Sequence, residues 1–207
     1  MKVKLCGFTE QSAVDAASNE GCDFIGLVFC QTSPRYISPD LAAQIIVPKN
    51  IAKVAVVVDP SIDLLEEIYK KCKVDYFQFH SNESVKFIEE VKKIFPKIKI
   101  IKAFKISGEQ DLVEINRYEE CANLFLFDSA KAGSGVKFDW NILKNLKTKK
   151  DWFLSGGINI DNIDQVMKIE GVKMIDISSG IEKSLAQKSP ELIKKIMIKV
   201  RSYVNQN

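Results

Sequence analysis

Eight times along the chain a short apolar run, rich in β-branched and aromatic residues, gives way to a longer amphipathic stretch. This alternation constrains the fold more than any other feature. The runs lie at residues 2–6, 23–29, 52–58, 76–79, 98–104, 124–127, 152–155 and 174–177. They are too short for buried helices and apolar on both faces, as strands of a parallel sheet covered by helices must be. Repeated βα units build either a closed (β/α)8 TIM barrel or a doubly wound open sheet. Eight units point to the barrel, with the open sheet as the alternative. The 207 residues are compact for a barrel but within the range of roughly 200 to 400.

Local signals place the helices between the strands. Ser38-Pro39 and Ser189-Pro190 each put a capping hydroxyl ahead of a proline suited to the first helical position. Gly21 and Gly171 stand where the first and seventh helices should close before the next strand. The stretch 108–118 mixes charged and apolar residues and makes the weakest helix of the set. No Gly/Ser tract, proline-rich stretch or block of like charge marks a boundary, so 1–207 reads as one domain.

Composition removes several classes of function. Thirty Lys and Arg against twenty-seven Asp and Glu leave +3 spread along the chain, too diffuse for a nucleic-acid footprint. No run approaches the ~20 apolar residues of a membrane helix, and the N-terminus lacks a secretory leader. Five cysteines, odd in number and without a C-x-x-C pair, signal neither a disulfide framework nor a zinc cluster. A reducing cytoplasm is expected. One histidine excludes metal sites built on several.

In a parallel barrel the chemistry gathers at the C-terminal ends of the strands. There the sequence places Cys6 before Gly7, Arg35 in a Ser-Pro-Arg turn, Gln78 and His80 on one face of strand four, and Asp128 after an apolar run. Gly156-Gly157 follows strand seven, and Asp176 with Ser178-Ser179-Gly180 closes strand eight. The Gly156-Gly157 and Ser179-Gly180 loops lie where barrels often hold a phosphate, since glycine lets backbone N–H groups approach an anion. A free cysteine is most often a small buried apolar residue. At a strand end, with a cation to lower its pKa, Cys6 could instead serve as a general base. Asp128, at an apolar rim, could have its pKa raised and act as a proton donor. Asp176, between two isoleucines, is expected to be buried with a partner, as an internal anchor or a polar group for the ligand. Arg35 offers a fork for a carboxylate or phosphate. These residues describe a phosphate-binding barrel with a thiol and a carboxyl as acid and base, suited to proton-transfer isomerisation of a phosphorylated metabolite.

The run Lys4-Leu5-Cys6-Gly7, then Gly26-Leu27-Val28-Phe29, Ser33-Pro34-Arg35-Tyr36 and Phe77-Gln78-Phe79-His80 resemble the phosphoribosylanthranilate isomerases of tryptophan biosynthesis. The resemblance continues in order through Phe127-Asp128-Ser129, Gly133-Ser134-Gly135, Phe138-Asp139-Trp140, Leu154-Ser155-Gly156-Gly157 and Asp176-Ile177-Ser178-Ser179-Gly180-Ile181-Glu182. It implies a cofactor-independent Amadori rearrangement of N-(5-phosphoribosyl)anthranilate to the carboxyphenylamino-deoxyribulose phosphate. By the same resemblance Asp128 is the general acid on the furanose oxygen and Cys6 the base at C2′. Arg35 faces the anthranilate carboxylate, Gln78, His80 and Asp176 contact the substrate, and Gly156, Gly157, Ser179 and Gly180 hold its phosphate. Gly133-Ser134-Gly135 belongs to a loop able to close over the site. The chain departs from the family pattern after His80, where Ser81-Asn82 replace the usual glycine-acid pair. The expected partner is that small-molecule substrate, bound by a monomer, with neither nucleic acid nor membrane. The rivals are another phosphosugar isomerase and a catalytically silent barrel that binds a phosphorylated ligand.

Overall fold

The computed structural model describes residues 1–129, 142–143 and 146–206. Eight parallel strands close into a barrel in sequence order: β1 (Lys2–Cys6), β2 (Phe24–Val28), β3 (Ala52–Val57), β4 (Tyr76–Phe79), β5 (Lys99–Ile106), β6 (Leu124–Ser129), β7 (Trp152–Leu154) and β8 (Met174–Ile177). Closure is the pairing of β1 with β8, Lys4 standing opposite Asp176 and Leu5 opposite Ile177. The open-sheet alternative is thereby excluded.

Around the barrel run α1 (Gln11–Asn19), α2 (Pro39–Gln44), α3 (Ile62–Cys72), α4 (Val85–Ile94), α5 (Ile163–Val166) and α6 (Pro190–Gln206). Ser38 caps α2 through Leu41 N–H ahead of Pro39, and Ser189 bonds Leu192 N–H at the start of α6, as the Ser-Pro pairs require. Gly21 takes a positive φ just past α1. Gly171 also has a positive φ, but α5 has already ended at Val166, so this glycine serves the turn into β8 rather than a helix end. The weak helix of 108–118 proves to be a 3-10 helix, Glu109–Tyr118. It is tied down at its start by Asp111, whose carboxylate accepts from Ser107 N–H and Gly108 N–H, and it buries only Ile115. With so little apolar surface to seat, a full α-turn has nothing to pack against. A short hairpin, β9 (Glu182–Ser184) and β10 (Gln187–Lys188), follows β8 and returns over the barrel mouth.

Strand parity creates two cores. One set of side chains faces the helices, among them Leu5, Ile25, Phe77, Phe79, Phe125, Phe127 and Ile175. The alternate set fills the interior: Cys6, Phe24, Val28, Val54, Val56, Ile101, Ala103, Leu126, Phe153 and Met174. Phe24 meets Phe153 edge-on at 5.1 Å and Tyr76 at 5.6 Å, plugging the N-terminal half of the barrel with rings. Apart from the buried Lys4–Asp176 pair, which stands level with Phe24, the inward polar groups collect toward the C-terminal mouth. The expected loop Gly133-Ser134-Gly135 and the run 138–140 lie outside the described residues.

Candidate active site

Parity on β1 sends Lys4 and Cys6 to the interior, one above the other. Cys6 stands opposite Gly26 of β2, where a Cβ would lie 2.6 Å from the Cys6 Sγ, so only glycine leaves the sulfur its place. Below it, the fully buried Lys4 Nζ donates to Asp176 Oδ1 of β8 at 2.9 Å. Asp176 is thus buried with a partner, as a carboxyl between two isoleucines had to be. Burial works against the Lys4 charge, but Asp176, with Cys6 behind it, holds the ammonium above its ordinary pKa. Burial pushes the Cys6 thiol up, Asp176 adds to this, and Lys4 and Lys188 pull it down without prevailing. The resting side chain is a thiol, and ionising it depends on the cations around it.

Across the mouth, Asp128 follows Leu124 and Leu126 on the inner face of β6 and stands 3.4 Å from His80 Nε2. Gln78, one inward position below His80 on β4, has its Nε2 3.0 Å from His80 Nδ1. With that amide donating, the neutral imidazole carries its proton on Nε2 and points it at Asp128. Gln78 itself is buried, and its Oε1 has no hydrogen-bond partner among the described residues. Parity alone put Gln78 and His80 on one face; the structure adds that they act as a stack beneath Asp128.

Arg35, from the turn after β2, lays its Nε and Nη2 edge on Glu182, at 2.6 and 2.9 Å. Among the described residues nothing bonds Arg35 Nη1, which leaves the Nη1/Nη2 edge of the same guanidinium open to a carboxylate. Glu182 also accepts from Lys188 Nζ at 2.7 Å, and Lys188 donates to Ser178 O at 3.1 Å. Against the cost of burial, Arg35 and Lys188 bring the Glu182 carboxyl down to about 2. Burial in turn lowers Lys188 below the ordinary lysine value.

Gly156 and Gly157 both have positive φ in the loop after β7. Gly180, in the loop after β8, packs directly on it: a Cβ there would lie 2.0 Å from Ile158 O. Ser179 begins the 3-10 turn Ser179–Ile181 beside it. The two glycine-bearing loops expected to share one anion therefore form one surface. A cavity of about 480 Å³ opens beside the mouth, lined among others by His80, Ser81, Asn82, Lys105 and Tyr118. A second, of about 640 Å³, lies at the opposite end of the barrel among Lys49, Lys70, Lys73, Lys97 and Lys99. Its size does not make it the site: among the described residues its lining holds no thiol, and its acid, Asp75, accepts from the Lys53 N–H.

Sequence reasoning assigned no role to Lys4, Glu182 or Lys188. A signal existed for the first: a lysine in an apolar strand, at the parity of Cys6, must point into the barrel. None existed for Lys188, which a hairpin brings back over the mouth.

Fold and site together define a (β/α)8-barrel enzyme with a thiol and a carboxyl at its C-terminal mouth beside paired glycine-bearing loops. Residues 3–199 match the family described as N-(5′-phosphoribosyl)anthranilate (PRA) isomerase. An N-(5′-phosphoribosyl)anthranilate isomerase of Zymomonas mobilis subsp. mobilis is 36% identical, over 97% of this chain and 98% of its own. That of Rhizobium johnstonii is 40% identical, over 90% of this chain and 88% of its own. A crystal structure of phosphoribosyl anthranilate isomerase in complex with reduced 1-(o-carboxyphenylamino)-1-deoxyribulose 5-phosphate is 27% identical, with a TM-score of 0.86 over 98% of this chain and 99% of that one. The chain belongs to the N-(5′-phosphoribosyl)anthranilate isomerase family.

Proposed function

We propose that residues 1–207 form a single barrel domain that isomerises N-(5-phosphoribosyl)anthranilate to 1-(2-carboxyphenylamino)-1-deoxyribulose 5-phosphate in tryptophan biosynthesis. The observation that carries this reading is the meeting of inward-facing Cys6 and Asp128 at one barrel mouth, in a chain that the family matches from residue 3 to residue 199.

Protonated Asp128 gives its proton to the furanose oxygen as the C1′–O bond breaks and the anilino nitrogen lone pair forms the Schiff base. The His80 Nε2–H beside the carboxyl then supports the carboxylate that remains. Cys6, as thiolate, removes the C2′ proton, and the electron pair moves to make the enolamine. Protonation at C1′ and loss of the hydroxyl proton yield the ketone; the substrate's atoms and electrons are conserved, and exchange with solvent returns a proton to Asp128 and takes one from Cys6 before the next turnover. Arg35 receives the anthranilate carboxylate on its Nη1/Nη2 edge, its other edge being held by Glu182. The Gly156-Gly157 and Ser179-Gly180 surface takes the phosphate at the other end of the substrate. Fixing both ends lowers the entropic part of the barrier. Gln78 supports His80, and Asp176 acts from below through Lys4.

The expected monomer is tested by light scattering of the purified protein. Five free cysteines support a cytoplasmic location; among the described residues no helix is long and apolar enough to cross a membrane. The activity is tested by generating phosphoribosylanthranilate in situ and following the decay of anthranilate fluorescence without added metal or cofactor. Rapid decay that is lost in both Cys6→Ala and Asp128→Asn is the expected result. No decay above background from folded protein rejects the reading.

A further inference from the structure

Lys4 is the one fully buried lysine side chain on the inner face of β1 among the described residues, and nothing in the acid–base pair itself calls for it. A lysine in such a place ordinarily loses its charge. Here the charge is kept: Asp176 accepts one ammonium proton at 2.9 Å, while Phe24, Phe153, Met174 and Val54 supply low-dielectric walls. As an internal anchor the arrangement is a poor choice, since a buried ion pair holds a fold together no better than apolar residues of the same volume. Its place gives it another use. Lys4 and Cys6 are two residues apart on one strand face, so the sulfur sits directly above a fixed positive charge.

Resting on the proposed isomerase reading, we propose that Lys4 is a positioning residue for the base, its Asp176-held ammonium stabilising the Cys6 thiolate as the C2′ proton is about to be taken. The charged groups that face Cys6 are few. Lys4 lies below it on β1 and Asp176 beside that on β8; Lys188 of β10 and Arg35 after β2 lie above, while β2 presents only Gly26. Lys188 is committed to Glu182 and the Ser178 carbonyl, and Arg35 to Glu182. Lys4 gives one ammonium proton to Asp176 and keeps two to offer a new anion on Cys6, whereas Lys188 has its donors engaged on Ser178 and Glu182. Asp176 has the opposite sign of effect on the thiol. Because Asp176 also keeps Lys4 charged, its loss would take the Lys4 field from Cys6 as well, so loss of Lys4 by itself is the cleaner perturbation and should raise the Cys6 titration.

The test has two readouts on Lys4→Met and Asp176→Asn. The first is thiolate absorbance near 240 nm against pH, taken as the difference between each protein and its Cys6→Ser counterpart, which removes the other four cysteines. The second is the pH dependence of kcat/KM in the fluorescence assay. Lys4→Met is expected to move the Cys6 titration and the acid limb of the rate profile upward by about one pH unit or more, a tenfold loss of thiolate at fixed pH. Asp176→Asn takes away the group that keeps Lys4 charged and is expected to move both upward as well. If Lys4→Met does not fold, Lys4→Met/Asp176→Asn leaves no charge unpaired, and its titration should lie above that of the parent. A fall in rate equal at every pH, with the Cys6 titration unmoved, overturns the proposal and leaves Lys4 structural. The absorbance readout needs no turnover, so an inactive parent protein would reject the isomerase reading while this inference is still decided.

Discussion

Replacing Glu182 with glutamine should weaken the protein at neutral pH and leave it nearly unchanged in acid. The carboxylate accepts from Arg35 Nε and Nη2, from Lys188 Nζ and from Ala186 N–H, and its pKa falls from 4.5 to about 2. At about 1.4 kcal/mol per pH unit, that depression corresponds to a ceiling of about 3 kcal/mol. The Arg35 side chain is 21% exposed, so solvent screens part of the interaction. We expect about 1 to 2 kcal/mol. The folded-state pKa lies below the unfolded one, so the contribution is complete above pH 4.5 and is lost as pH falls toward 2. Urea unfolding of parent and Glu182→Gln should differ by that amount at pH 7 and at pH 5, and by less than about half of it at pH 3. In the fluorescence assay the variant should raise KM several-fold, because Arg35 is no longer held side-on and its open edge loses its direction. A stability difference that is absent at pH 7, or that stays constant down to pH 3, would refute the reasoning.

Gly26→Ala would place a methyl 2.6 Å from the Cys6 Sγ. It should cost about 1 to 3 kcal/mol in stability and at least tenfold in kcat, read by thermal melting and turnover together. Loss of stability with unchanged kcat would mean that the sulfur's position is not critical. Gly180→Ala meets the Ile158 carbonyl, which cannot retreat without moving the loop after β7. Inorganic phosphate should then inhibit the variant more weakly than the parent, and equal inhibition would place the phosphate elsewhere. Glu83→Gln removes the buried carboxylate that accepts from Lys102 Nζ, Asp59 N–H and Ser81 N–H. It should destabilise by about 3 kcal/mol in urea, since it strands a buried ammonium. A change below about 0.5 kcal/mol would show that Lys102 is satisfied by the Ser81 and Ala103 carbonyls alone.

Strand positions were legible because each run is a local event: four to seven apolar residues of strand length between capped helices. Ser38 and Gly21 acted through bonds and dihedrals within a few residues of themselves and did what their types predict. The stretch 108–118 was legible only as weak, and it became a 3-10 helix because its apolar content seats one residue. At the site, glycine, cysteine and acid at strand ends could be read in order, and strand parity put Gln78 and His80 on one face without telling whether that face turns inward. Their couplings could not be read. Arg35 looked like an open fork, yet one edge is taken by a carboxylate 147 residues away. Cys6 looked like a thiol in need of a cation, and the one that bears on it most is a lysine two residues before it, whose charge is held chiefly by a partner 172 residues on.

What the sequence by itself determined is therefore the alternation of strand and helix, the shared strand face of Gln78 and His80, the burial of Asp176 between two isoleucines, and membership in a family whose ordered motifs run the length of the chain. The tertiary structure alone decided the closing of β8 onto β1, the packing of Gly180 against the loop after β7, and the assignment of each charge to its partner. The division has a physical cause. Strand period, caps and turns act over a few residues and leave a pattern in the chain, whereas a buried charge is satisfied by whatever group the closed barrel brings within 3 Å, and that proximity has no local signature.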